Sequence, residues 1–171
     1  ANNVKLGAGM EKETEMGPLV SKKQQERVLH YIEQGKAEGA TVAAGGERAF
    51  EKGYFVQPTV FTDVTDDMTI VKEEIFGPVV VVLPFDSTEE VIERANRSSY
   101  GLAAGVWTQN IKTGHQVANK LKAGTVWIND YNLENAAAPF GGFKQSGIGR
   151  ELGSYALDNY TEVKSVWVNI K

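Results

Sequence analysis

Between Val79 and Ile128 the chain alternates strand and helix patterns with very short connections, and that alternation limits the folds open to it. Residues 79–83 form a short apolar run of strand type. Ser87 with Glu90 three residues later is a capping pattern for a helix carrying Val91, Ile92 and Ala95. Residues 103–108 read as a second strand, Asn110 caps a helix through Ile111, His115, Ala118 and Leu121 up to Gly124, and residues 125–128 read as a third. Strands joined through helices predict a parallel sheet with right-handed crossovers. The fold class is therefore α/β: an open, mainly parallel sheet with flanking helices. Ligands on such sheets gather at the carboxyl ends of strands, and the loop after Ile128 leaves from one of them.

The flanks are less regular. Ser21 and Gln24 form a second capping pattern, with Val28, Leu29 and Ile32 at helical spacing up to Gly39. Residues 41–44 are a short strand stopped by Gly45 and Gly46, and residues 58–61 read as extended. From Asn129 to Gly149 the chain is irregular and rich in glycine, and a loop of that length in a compact domain is usually functional. A last helix is expected over residues 152–160, followed by a tail strand over 161–171. In that tail Val166, Trp167 and Val168 are consecutive, so apolar groups point to both faces and need covering on both. A second subunit, in a dimer or tetramer, is the expected cover. Residues 161–171 are thus expected to be an oligomerisation strand, set off from the main body formed by residues 1–160.

A net charge of -4 and a pI near 5.3 argue against a general nucleic-acid or anionic-membrane binder. No apolar run approaches a membrane span. The first residues lack an initiator Met and any signal-like stretch, which reads as a fragment cut from a longer protein, with cytoplasm as the default compartment. With no cysteine, disulfides and thiolate metal sites are excluded.

Two stretches carry chemistry. In Val71-Lys72-Glu73-Glu74-Ile75-Phe76-Gly77-Pro78 a carboxylate lies two residues from an aromatic ring, ahead of a buried strand. A carboxylate so placed can accept hydrogen bonds from ribose hydroxyls while the ring covers an apolar face. The plain alternative is an exposed acidic turn. The second stretch is Pro139-Phe140-Gly141-Gly142-Phe143-Lys144-Gln145-Ser146-Gly147-Ile148-Gly149-Arg150-Glu151. Its Gly-x-Gly-x-x-x-Gly spacing at Gly147, Gly149 and Gly153 follows no strand, so a phosphate-cradle reading fails. His30 and His115 are single histidines on helices with no second ligand at metal spacing, and Asp66-Asp67 is a turn or helix start.

In this order and spacing the two stretches resemble the aldehyde dehydrogenase superfamily, nearest the betaine, retinal and general aldehyde dehydrogenase group. The resemblance implies that this chain corresponds to the final third of such an enzyme, after its catalytic cysteine. It implies that Glu74 accepts hydrogen bonds from the nicotinamide ribose of NAD, or of NADP, and that Phe76 packs on the same sugar. Glu73 is expected to face solvent. The aromatic at Phe140 would line the aldehyde tunnel, and Leu133 and Glu134 hold positions that narrow it. An aromatic is common at the Glu134 position. A carboxylate there would favour a cationic or strongly polar aldehyde, or turn to solvent.

Further roles follow only from the resemblance. Glu151 would belong to a proton-exit path, and the backbone carbonyls of Lys144 and Gly147 would match a monovalent-cation site. Arg150 and Glu162 would pair at a subunit contact with Val166, Trp167 and Val168. In the family a cysteine thiolate attacks the aldehyde, donors stabilise the oxyanion, hydride passes to nicotinamide, and a glutamate activates water to hydrolyse the thioester. All those covalent and acid-base groups lie upstream of Ala1, so these residues alone are expected to be inactive and to need their own N-terminal portion. The rival reading is a non-catalytic oligomerisation or interaction module, if the chain stands free. An autonomous nucleotide-binding domain is the weaker rival, because a glycine fingerprint after a first strand is missing.

Overall fold

The computed structural model describes residues 1–171, which form two compact units, Ala1–Pro84 and Phe85–Lys171. The first contains α1 (Lys22–Ala37), β1 (Thr41–Ala44), β2 (Thr59–Thr62), the one-turn α2 (Thr69–Lys72) and β3 (Val79–Val81). The second contains α3 (Thr88–Arg97), β4 (Ala103–Val106), α4 (Ile111–Lys120) and β5 (Thr125–Ile128).

In the first unit β2 is the central strand, antiparallel to β1 and parallel to β3. Phe61 on β2 and Val28 and Ile32 on α1 are fully buried, and Ile70 and Ile75 close the same core. Gly77 explains how tightly the chain passes α1. A Cβ added there would lie 2.4 Å from Val28 Cγ2, well inside contact distance. Pro84, which has no N–H to offer a ladder, ends the unit.

In the second unit β4 and β5 pair in parallel, Ala103 opposite Thr125 through Val106 opposite Ile128. The expected run of three strands is therefore divided: β3 joins β2, and β4 and β5 make a separate pair. Two of the three strand pairs are parallel, in keeping with a mainly parallel α/β chain. Both strands of the β4–β5 pair are only half-buried along their length.

The helix starts follow the sequence. Ser21 accepts from Gln24 N at 3.2 Å, Ser87 from Glu90 N at 3.1 Å, and Asn110 from the amides of Lys112 and Thr113. The expected last helix is instead a 3-10 segment, Ser154–Asn159. Leu152 and Gly153 just before it take left-handed φ values of 59° and 56°, which no α-helix can include. Residues 161–171, expected as a tail strand, have no ladder partner within the chain, and Trp167 is 95% exposed. No helix is long and apolar enough to cross a membrane.

Candidate cofactor and substrate sites

The clamp segment is held against one face of α1, side chain by side chain. Gln24, Arg27, Tyr31, Gln34 and Glu38 recur at three- and four-residue spacing, which stacks them along one stripe. Glu38 accepts from Thr69 N at 2.8 Å and from Thr69 Oγ1 at 2.6 Å, capping α2 from outside its own sequence. Gln34 donates to Thr69 Oγ1 at 3.0 Å. The Tyr31 hydroxyl donates to Glu73 Oε2 at 2.6 Å. Arg27 donates to the Glu74 carbonyl at 3.2 Å, and Gln24 to the carbonyls of Ile75 and Phe76 at 3.3 and 2.8 Å. Successive turns of one helix thus hold successive residues of the segment.

The outcome is a presented pair. Glu74 is exposed, and its carboxylate makes no hydrogen bond or ion pair within the chain. Phe76 is 68% exposed and sits at φ 56°, a left-handed backbone that a bulky residue adopts at a cost of about 1–2 kcal/mol. An exposed ring in a strained backbone, fixed by side chains of a neighbouring helix, is a pattern associated with binding sites. Glu73, expected to face solvent, is exposed but engaged by Tyr31. That hydrogen bond, and then burial, raise the Tyr31 phenol above its ordinary pKa, so it remains a donor through neutral pH.

The glycine-rich loop of the second unit is held differently. Phe140 and Glu151 exchange two backbone hydrogen bonds of 2.7 Å, which brings two expected site residues together. The Gly101 carbonyl accepts from both Gly124 N and Phe143 N. Gly124 lies so close to the loop that an added Cβ would be 1.6 Å from the Gly141 carbonyl oxygen. A shallow depression lined by Phe140, Gly147, Ile148, Arg150 and Glu151 lies here. Trp127 donates to the Leu133 carbonyl at 2.8 Å and packs on Tyr131, which orients the stretch carrying Leu133 and Glu134. Both of those side chains are exposed, and Glu134 forms no ion pair.

The expected Arg150–Glu162 pair is not formed. The Arg150 guanidinium donates instead to the carbonyls of Gly142 and Gly149 at 3.0 and 2.7 Å, and it lies 5.4 Å from the centre of the Phe143 ring. Lys144, at φ 54°, directs its ammonium to the carbonyls of Asn96 and Ser98. No group of three or more His, Cys, Asp or Glu side chains is placed to hold a metal ion. Val166, Trp167 and Val168 are exposed. Apolar periodicity, which locates α1 in the sequence, does not report its polar stripe, whose only mark there is the regular spacing of Gln24, Arg27, Tyr31, Gln34 and Glu38.

A family model described as the aldehyde dehydrogenase family matches residues 1–166. The chain is 56% identical over 171 residues to betaine aldehyde dehydrogenase of Brucella anthropi, covering 98% of this chain and 35% of that protein. It superimposes with a TM-score of 0.96 on an NAD+ complex of aldehyde dehydrogenase from Bacillus cereus, at 96% identity, covering 100% of this chain and 35% of that one. A betaine aldehyde dehydrogenase of Staphylococcus aureus in complex with NAD+ gives a TM-score of 0.90 at 49% identity, covering 93% of this chain and 32% of that one. The chain therefore spans about a third of the length of the proteins it matches.

Proposed function

Because the chain belongs to the aldehyde dehydrogenase family, we propose that it serves as the C-terminal part of an NAD(P)-dependent enzyme that oxidises an aldehyde to a carboxylic acid. On this reading the segment orients rather than reacts. It has no cysteine, so the nucleophile belongs to another part of the enzyme. The observation that carries the reading is the braced presentation of Glu74 and Phe76: an uncommitted carboxylate and an exposed ring on a loop fixed to α1. Two free carboxylate oxygens fit a vicinal diol, and a flat apolar ring fits the face of a sugar.

NAD would supply the hydride acceptor, and relatives solved as NAD+ complexes support it over NADP. This chain's residues would hold the ribose so that the ring cannot wander from the reacting carbon, which is a matter of positioning. Phe140, Leu133 and Glu134 would line the aldehyde's path, with Glu151 placed beside Phe140 through their backbone pairing. The exposed apolar side chains of Val166, Trp167 and Val168 would be covered by another copy in a dimer or tetramer.

Replacing Glu74 with Gln in a full-length enzyme carrying this segment tests the reading. A charge-assisted hydrogen bond is worth about 1.5–3 kcal/mol, so Kd for NAD+ should rise at least about tenfold while aldehyde binding is unaffected. Unchanged NAD+ affinity would remove Glu74 from the cofactor site.

A further inference from the structure

Glu73 and Glu74 line the same shallow depression, with Ile70, Ile75 and Phe76 around them. Each carboxylate alone has the acceptor capacity to receive both hydroxyls of a vicinal diol. Two neighbouring anions in one depression would offer two binding registers and would repel each other. The structure makes them unequal. Glu73 accepts from the Tyr31 hydroxyl at 2.6 Å, while the Glu74 carboxylate is left free and only its backbone carbonyl is held, by Arg27.

Glu73 ends α2 in extended conformation, φ -103° and ψ 146°. With the Glu73 side chain drawn onto α1 and the Glu74 carbonyl held by Arg27, the Glu74 carboxylate is the one left without a partner. Tyr31 is suited to this work because it is itself fixed. It is 8% exposed, within the core cluster, with the Arg27 guanidinium 5.4 Å from the centre of its ring.

We propose that Tyr31 is a positioning residue for the cofactor: by engaging Glu73 it determines which of two adjacent carboxylates meets the ribose diol. This rests on the assignment of Glu74 above. Tyr31 acts through Glu73 and touches no reacting atom. Removing its hydroxyl frees Glu73 to swing into the depression, so the diol meets a second, misplaced acceptor.

The test is Kd for NAD+, measured by protein fluorescence without turnover, in a full-length enzyme carrying this segment. Tyr31→Phe, which keeps the buried ring, should raise Kd about fivefold, less than Glu74→Gln because the Glu74 acceptor is disturbed and not removed. Glu73→Ala should leave Kd near normal and cancel the effect of Tyr31→Phe, because no second carboxylate remains to compete. Glu73→Gln should likewise stay near normal, because the amide oxygen still accepts from Tyr31 and adds no charge. In a Glu74→Gln background, Tyr31→Phe should add nothing further, since its target is gone. A purely structural Tyr31 would lower the unfolding temperature and leave Kd unmoved, which overturns the proposal. So does an effect that multiplies in full with Glu74→Gln. If Glu74→Gln itself leaves Kd unchanged, the clamp assignment has failed, and the role of Tyr31 falls with it.

Discussion

The clamp segment around Glu74 and the glycine loop around Phe140 are both irregular, exposed and expected to touch ligands, yet they are fixed by opposite means. The first is held by side chains. A polar stripe on α1 reaches out to Thr69, Glu73, Glu74, Ile75 and Phe76 in turn. The second is held chiefly by main chain, with Gly101, Gly124, Gly141, Phe143, Phe140 and Glu151 in backbone contact, and the cationic side chains that join it, Arg150 and Lys144, donate only to main-chain carbonyls. A segment held by side chains can be loosened one atom at a time and can respond to protonation. One held by close-packed backbone tolerates side-chain change and fails when bulk is added. The two sites should therefore break under different kinds of mutation.

The largest effect is expected in the glycine loop. Gly124→Ala would put a methyl 1.6 Å from the Gly141 carbonyl oxygen, with backbone on both sides and no flexible side chain to yield. Overpacking of this severity costs about 3 kcal/mol or more. Gly147→Ala, within the loop itself, meets nothing within 4 Å and costs only what its backbone at φ 121° and ψ 178° imposes on a side chain, roughly 1–3 kcal/mol. Urea unfolding of the two variants compares wedge with strain. If Gly147→Ala proves the costlier, backbone contact is not what holds this loop.

A smaller effect separates strain from contact in the clamp. Phe76 occupies a left-handed backbone at φ 56° and exposes most of its ring. Phe76→Ala keeps the unfavourable backbone and loses the ring, whereas Phe76→Gly loses the ring and relieves the backbone. The glycine variant should be the more stable by about 1 kcal/mol, although both lose the exposed ring. The usual penalty of glycine outside such positions has the opposite sign. An alanine variant as stable as the glycine variant would mean that α1 does not hold this conformation in solution.

How far each region could be read from sequence follows from where its contacts originate. The helices starting after Ser21, Ser87 and Asn110 were legible because their caps are local, within three residues of the group they satisfy. The short α2 was not. Its residues Thr69, Ile70 and Val71 favour strands, and its N-cap, Met68, offers no acceptor. The cap comes from Glu38, separated by 31 residues. Gln24 shows the limit of a local rule, since its amide serves Ile75 and Phe76 across the fold instead of completing a capping box. Glu74 and Phe76 stand out in the sequence because a motif carries them. Tyr31 does not, because a tyrosine on an amphipathic helix reads as core. The bonds of Arg150 to Gly142 and Gly149 were not legible either, because carbonyls exposed by a glycine turn leave no mark in the sequence.

Glu38 offers the smallest effect and the one that most cleanly separates the two regions. Its carboxyl is held below the ordinary glutamate pKa by the Thr69 hydroxyl first and the Thr69 amide second, with the nearby Asp67 charge opposing more weakly. A carboxyl whose folded pKa is depressed contributes stability above its unfolded pKa and loses it as pH falls through the folded value. Glu38→Gln should therefore lower the unfolding midpoint modestly at neutral pH, because an amide oxygen accepts from Thr69 less strongly than a carboxylate. The gap between variant and parent should close as the solution is acidified below the ordinary glutamate range, where the parent's own carboxyl is protonated. Arg150, whose bonds go to main-chain carbonyls, gives the contrast: the stability lost in Arg150→Gln should not vary over that acid range. Two curves that run parallel at Glu38 would show that the α1 stripe holds α2 without help from the Glu38 charge, and the clamp would then join the glycine loop as a segment indifferent to acid.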